Sequence, residues 1–182
     1  MKKFREFEIS WTGLKEGEHI FQYELDDEKL EALDFTNEDF TNVATQVNLS
    51  FDRHHNFFEL LFDFDGSLTC SCDRCGDTMH LDIWDEFKLI VKLVETPEEA
   101  DNMNEDEDNE IVYIARSQSS INVFKWLYDF LILSIPIQKI HSNDESGKSL
   151  CNPKALELLK AMEEQTIKNN NTWKGLEQFK KK

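Results

Sequence analysis

Residues 58–76 read FELLFDFDGSLTCSCDRCG and contain the two patterns on which the fold prediction depends. In the first part of this stretch, large apolar residues occupy every second position: Phe58, Leu60, Phe62 and Phe64. A period of two is typical of a β-strand that buries one face. In the second part, Cys72 and Cys75 form a Cys-x-x-Cys pair that is followed by Gly76. The stretch therefore predicts a strand that leads into a cysteine-bearing turn.

Similar alternation continues on both sides, in residues 21–25, 43–51 and 81–93. Because the intervening positions are mostly polar or charged, we expect an antiparallel sheet with one face in water. Residues 53–56 look like a hairpin loop, and Asp65-Gly66 is a turn signal. A returning strand is predicted at Ile111–Ala115.

Two helices are predicted after these strands. The first is capped by Ser119 or Ser120 and ends before Pro136, since residues that precede proline avoid helical geometry. The second has Asn152 as its N-cap and Pro153 at its first position. Its apolar stripe is formed by Leu158, Leu159 and Met162. A short additional helix in the tail is predicted from Trp173, Leu176 and Phe179, which are spaced three residues apart. The predicted fold class is α+β: an antiparallel sheet or partial barrel carries the Cys-x-x-Cys hairpin, and the C-terminal helices pack on it.

A length of 182 residues favours a single domain that spans residues 1–182. Within it, residues 1–94 form the β-rich part with the cysteine hairpin, and residues 111–182 form the strand and helical C-terminal part. Residues 95–110 contain nine acids and no base. Since like charges at this density repel one another, we predict a mobile loop there. The alternative is a docking site for a basic partner.

The charge balance restricts the class of partner. The chain has 20 Lys and Arg against 37 Asp and Glu, a net charge of -17. This excess argues against broad neutralisation of RNA phosphates and against docking on an anionic membrane, and it favours basic proteins. Any direct RNA contact is expected to be local. The cations that either form a small basic face or lie scattered are Arg74, Lys88, Lys92, Arg116, Lys139 and Lys148.

The sequence predicts a cytoplasmic protein. Acidic residues Glu6 and Glu8 follow the basic N-terminus, where an export signal would be apolar. The most apolar run, residues 121–140, contains Lys125, Asp129 and Pro136, so we interpret it as a buried helix rather than a membrane span. In a reducing compartment, cysteines are metal ligands or free thiols more often than disulfides.

The cysteines predict a structural zinc ion. Cys72 and Cys75 on a tight turn direct two thiolates at one point, as zinc requires. His141 and Cys151 flank a glycine-containing loop and can complete a Cys3His site, while Cys70 is an alternative ligand. The competing interpretations are free buried thiols and a redox pair. The redox pair is disfavoured because strands flank the motif and Asp73 opposes a low thiol pKa.

This layout resembles the YceD family, the large ribosomal RNA subunit accumulation proteins. The resemblance extends from about residue 21 to 179 and is sharpest at Cys72-Asp73-Arg74-Cys75, at the helix before Pro136, and at residues 173–176. Family members typically carry a second cysteine pair after the proline, and here His141 and Cys151 take that place. The resemblance implies a role in making or accumulating large-subunit ribosomal RNA, with no catalytic activity.

Three functions follow as hypotheses. The first is a non-enzymatic, zinc-stabilised factor in ribosome biogenesis that acts through basic ribosomal proteins or RNA-processing factors. The second is an acidic module that binds basic proteins without a metal. The third is a zinc-dependent hydrolase in which water takes the fourth coordination position, with Asp73, Asp77 or Glu145 as the base.

Overall fold

The computed structural model describes residues 5–35, 37–104 and 111–168, with side chains as far as residue 165. The chain divides into two compact units. The first unit consists of Met1–Cys70 and His80–Ile137, and the second of Ser71–Met79 and Gln138–Lys182. The cysteine turn thus belongs to the same unit as the C-terminal segment.

A sheet dominates the first unit. In the described residues its strands lie in the order β2, β3, β4, β5, β6, which are Gly17–Asp26, Phe40–Arg53, Phe57–Ser71, Thr78–Val94 and Ile111–Ala115. The smaller elements are β1 (Glu8–Ile9), α1 (Asp27–Ala32), α2 (Pro97–Asn104), β7 (Ile121–Asn122) and α3 (Phe124–Leu133). Since β2 and β6 are its outer strands, the sheet is open rather than a closed barrel.

The alternating pattern places the core as predicted. In the antiparallel pair β3–β4, Leu49 lies opposite Phe62 and Phe51 lies opposite Leu60, and all four side chains are fully buried. Helix α3 covers this face of the sheet, and the ring of Phe130 lies 5.1 Å from that of Phe62. The predicted α+β class is therefore confirmed, since burial of one sheet face against a helix is what the period of two requires.

One edge of the sheet differs from the antiparallel prediction. Strand β6 pairs parallel with β5, with Ile90 opposite Ile111 and Val94 opposite Ala115. Parallel neighbours need a crossover of a dozen or more residues, and the acidic segment 95–110 supplies it. Instead of a loop throughout, this segment contains helix α2, while residues 105–110 lie outside the described residues.

The start of α3 also differs from the prediction. The helix begins at Phe124, whose N–H donates to Oδ1 of Asn122, and not after Ser119 or Ser120. Residues Ile121–Asn122 instead form β7, which pairs antiparallel with β1. The pairing of β7 with β1 thus incorporates residues that the predicted N-cap had assigned to helix α3. In the described part of the chain, no helix is long and apolar enough to cross a membrane.

Gly66 lies inside β4, so the predicted turn at Asp65-Gly66 is wrong. The pairing of β3 with β4 is irregular between Thr41 and Ala44, and the backbone of β3 approaches Gly66 closely. A Cβ atom on Gly66 would lie 2.4 Å from the carbonyl oxygen of Ala44. Glycine here permits contact between two backbones, which is a common reason for glycine in a strand interior.

Gly66→Ala is therefore expected to lower the free energy of unfolding by about 1–3 kcal/mol, the usual cost of overpacking a buried site. Gly13→Ala is the matched control, because a Cβ atom there meets nothing within 4 Å. Denaturant unfolding of both variants measures the difference. Equal stability of the two proteins would contradict the close approach of β3 and β4.

Candidate metal centre

The Cys-x-x-Cys turn joins β4 to β5 and is closed by its own backbone. The carbonyl of Cys72 accepts a hydrogen bond from the N–H of Gly76 at 2.9 Å, and the N–H of Cys72 donates to the carbonyl of Asp77 at 2.9 Å. Gly76 has a φ of 76°, a left-handed conformation that costs glycine little. This turn brings the Cys72 and Cys75 side chains to one side, as the sequence predicted.

A second loop brings His141 and Cys151 together. Its ends are joined by a hydrogen bond from the N–H of Leu150 to the carbonyl of Ser142, at 3.1 Å. At its tip, Oδ1 of Asp144 accepts from the backbone of Ser146 and Lys148, and Gly147 has a φ of 81°. His141 and Cys151, which are ten positions apart in sequence, are thereby brought close together in space.

Hydrogen bonds hold this loop segment against the cysteine turn within the second unit. The N–H of Asp73 donates to the carbonyl of Lys139 at 2.7 Å, and the N–H of Lys139 donates to Oδ2 of Asp73 at 2.7 Å. On the other side, Nδ2 of Asn152 donates to Oδ2 of Asp77 at 3.0 Å. Two carboxylates of the turn are therefore occupied in positioning the C-terminal segment.

Asn152 also begins helix α4 (Pro153–Lys168), as predicted. Its Oδ1 accepts from the N–H of Lys154 at 3.0 Å, which satisfies one of the free donors at the helix N-terminus. Because Asn152 directly follows Cys151, the start of the helix and the metal-ligand cluster share one short stretch of chain.

The four predicted ligand side chains converge. One ligand atom from each of Cys72, Cys75, His141 and Cys151 lies within 4.8 Å of every other. The two sulfur atoms of Cys72 and Cys151 are 3.8 Å apart, and Sγ of Cys75 is 3.5 Å from Nδ1 of His141. Tetrahedral zinc with ordinary bond lengths requires sulfur–sulfur edges of about 3.8 Å and sulfur–nitrogen edges of about 3.5 Å. Two of the six edges thus match a tetrahedral Cys3His centre, and the other ligand atoms lie within 4.8 Å of one another.

Cys70 and the other histidines do not belong to this group. Among the described residues, the group holds neither Cys70, the alternative ligand, nor the remaining histidines, His19, His54, His55 and His80. Cys70 is buried in the first unit, where it lies opposite Phe40 in the pairing of β4 with β3. Residues two positions apart share a face of a sheet only within a continuous strand. Because β4 ends at Ser71, this rule does not place Cys72 on the same face as Cys70.

The four side chains of the cluster are partly or fully buried, and its cysteines are not in disulfides. Cys72 and Cys151 are each only 2% exposed, while Cys75 and His141 are half-buried. None of the four cysteines forms a disulfide, and the 3.8 Å separation of the Cys72 and Cys151 sulfurs far exceeds a disulfide bond of about 2.05 Å. Buried thiols this close together are chemically suited to share a cation.

The thiols of the turn influence each other. Burial raises the pKa of Cys72, but hydrogen bonds from the backbone at His141, Cys75 and Arg74 outweigh it and lower that pKa to about 6. The expectation that Asp73 would prevent a low thiol pKa in this turn is therefore wrong for Cys72. For Cys75, a hydrogen bond from the backbone at Asn152 lowers the pKa, yet desolvation and the Cys72 thiolate leave it above its usual value. Formation of one thiolate thus opposes formation of the second, and a bound cation would remove that opposition.

In metal-free protein we expect a single thiolate to appear with a midpoint near pH 6, because the folded chain lowers the pKa of Cys72 to about 6. Its stabilising effect is complete above the pKa of an unfolded thiol and is lost as the pH falls through about 6. Ultraviolet absorbance of the thiolate measures the titration. Cys72→Ser should abolish this step and Cys70→Ser should retain it. A titration confined to the range of ordinary thiols would contradict the assignment.

One of three comparisons with known proteins gives a match. The family model described as "Large ribosomal RNA subunit accumulation protein YceD" matches residues 60–180, a range that includes all four side chains of the cluster. The chain matches none of the curated proteins and none of the solved structures with which it was compared. Because the family match covers more than half of the sequence, this chain belongs to the YceD family of large ribosomal RNA subunit accumulation proteins.

Proposed function

We propose that the chain is a non-enzymatic factor that supports the synthesis, processing or accumulation of large-subunit ribosomal RNA. A structural zinc ion bound by Cys72, Cys75, His141 and Cys151 stabilises it, and it acts in the cytoplasm through basic protein partners. The membership of the YceD family carries the ribosomal part of this proposal. The geometry of the four side chains carries the metal part.

A stabilising role for zinc is supported by the composition of the second unit. Among its described residues, the only fully buried apolar side chains are the cysteines Cys72 and Cys151. A unit without an apolar core needs another source of stability, and small domains commonly obtain it from a structural metal. Binding of zinc would couple the cysteine turn to the segment from His141 to α4, because a site that forms only on folding contributes its binding energy to folding.

The donor set favours a structural role over hydrolysis. Four protein ligands complete a tetrahedral sphere, so no position remains at which water could be activated. Two of the candidate bases are already engaged, since Asp73 accepts from Lys139 and Asp77 accepts from Asn152. These contacts support the proposal of a structural site.

The ion pairs formed by the basic side chains favour protein partners over RNA. Of the six that could have formed a basic face, Lys88 pairs with Glu59, Arg116 with Glu95, and Lys139 with Asp73. Each pair neutralises a charge that an RNA phosphate would need. This supports RNA contacts that are local, together with contacts to basic ribosomal proteins or processing factors.

Protein purified without added zinc is expected to contain one zinc ion per chain, and Cys75→Ser and His141→Ala should lose it. Cys70→Ala and His80→Ala are controls that should retain it, because neither side chain belongs to the cluster. Metal analysis gives the zinc content. Hydrogen exchange should in parallel show that zinc loss exposes the amides of α4 while those of β3 and β4 stay protected. Full zinc retention in Cys75→Ser would contradict the proposed ligand set.

Deletion of the gene should lower the amount of large-subunit ribosomal RNA relative to small-subunit RNA in the cells that carry it. The parent and His80→Ala should restore the ratio, whereas Cys75→Ser should not, because the second unit would lack its metal. Quantitative RNA analysis checks this, with immunoblots to compare protein levels. An unchanged ratio after deletion would overturn the ribosomal role while leaving the metal site unaffected.

A further inference from the structure

The face of the sheet that α3 does not cover carries an unusual row of like charges. Along the registers of β2, β3 and β4, Glu18 lies directly opposite Asp52, and Asp52 lies directly opposite Glu59. Like charges in opposite positions of adjacent strands destabilise a sheet. Local contacts offset this in part, since Ser50 donates to Glu18 and Lys88 pairs with Glu59.

Further carboxylates on the same face have no such compensation. Asp63 and Asp65 follow Glu59 at alternate positions of β4, so they lie on the same side of the sheet, and both are exposed. Within the described part of the chain, neither carboxylate has a hydrogen bond or an ion pair, although both backbones pair with β3. These two uncompensated carboxylates repel the other carboxylates on this face, and they contribute nothing to the core. We call this surface of β2–β5 the acidic sheet face; it is formed by Glu18, Asp52, Glu59, Asp63, Asp65 and the apolar side chains described next.

Exposed apolar side chains lie among these charges. Ile20 on β2 is 60% exposed and Leu61 on β4 is 36% exposed, and both lie opposite Ser50 of β3, so the three form one row. Trp84 on β5 is 83% exposed. It points away from the core, since its neighbour Ile83 is buried and Phe87 packs against Phe130. Aromatic anchors within a polar surround are typical of the energetic centre of a protein interface.

We propose that the acidic sheet face is a docking surface for a basic protein segment, in which Trp84, Ile20 and Leu61 bind apolar side chains and the surrounding carboxylates bind Lys and Arg. Charge complementarity decides the occupant. An RNA strand would be repelled by the carboxylates, and a second copy of this chain would present the same negative charge. This inference deepens the proposed function, on which it rests for the ribosomal origin of the partner but not for the surface itself.

Fluorescence anisotropy of a labelled synthetic peptide, in which Lys or Arg alternates with Leu, tests the surface with the whole zinc-loaded protein. The parent should bind, and binding should weaken as salt screens the charges. Trp84→Ala should raise the Kd about tenfold, the scale of an interface hot spot. The double variant Asp63→Asn/Asp65→Asn should raise it by about the same factor.

The matched control is Glu98→Gln/Asp101→Asn in α2, which removes the same charge from exposed acids away from the acidic sheet face. It should change the Kd less than twofold. Equal weakening in both double variants would overturn the proposal, because attraction would then follow net charge alone. Thermal melts and zinc content should match the parent in every variant, since the changed side chains are exposed.

Other occupants give distinct results. Tighter binding of single-stranded RNA than of the peptide, lost in Trp84→Ala, would overturn the proposal in favour of RNA. Self-association that Trp84→Ala abolishes in sedimentation would overturn it in favour of a homodimer. In cells, normal ribosomal RNA ratios with Trp84→Ala but not with Cys75→Ser would refute the docking surface and leave the proposed function standing.

Discussion

Four side chains from segments that are 66 to 79 positions apart converge within 4.8 Å, and the second unit of the chain is organised by that convergence. Beside it, the turn at Cys72 is hydrogen-bonded to the segment before Cys151 through Lys139 and Ser149, and to the cap of α4 through Asn152. Apart from the two buried cysteines, no described side chain of this unit forms a core. Removal of a proposed zinc ion would therefore leave mainly a few hydrogen bonds, each of which contributes only about 1 kcal/mol in water.

The first unit is stabilised in a different way. Its alternating Phe, Leu and Val residues bury one sheet face under α3. Across the contact, the ring of Phe130 stacks on that of Phe87 and packs at a tilt against that of Phe62. The residues of this core belong to the first unit, whereas all four members of the metal-ligand cluster belong to the second. The proposed zinc ion would thus affect the stability of the two units unequally, which is the basis of the hydrogen-exchange comparison.

Charge is also divided between the units. By sequence, the first unit holds 29 acidic and ten basic residues, a net charge of -19, whereas the second holds eight acidic and ten basic residues, a net charge of +2. The overall value of -17 is therefore the sum of two very different net charges. Under the proposed function, the strongly negative first unit would attract a basic protein, and a local contact with RNA would meet less repulsion at the second unit.

The sequence by itself determined the alternating strands, the Cys-x-x-Cys turn, the four members of the cluster and the cap of α4, because each depends on spacing over a few residues or on the chemistry of a side chain. Only the tertiary structure decided the rest. It excluded Cys70, since β4 ends at Ser71; it made β6 parallel to β5, since the acidic segment forms a crossover; and it kept Gly66 inside a strand, since the backbone at Ala44 approaches it. It also aligned Glu18, Asp52 and Glu59 in one row, because cross-strand register is set by long-range pairing that local sequence does not encode.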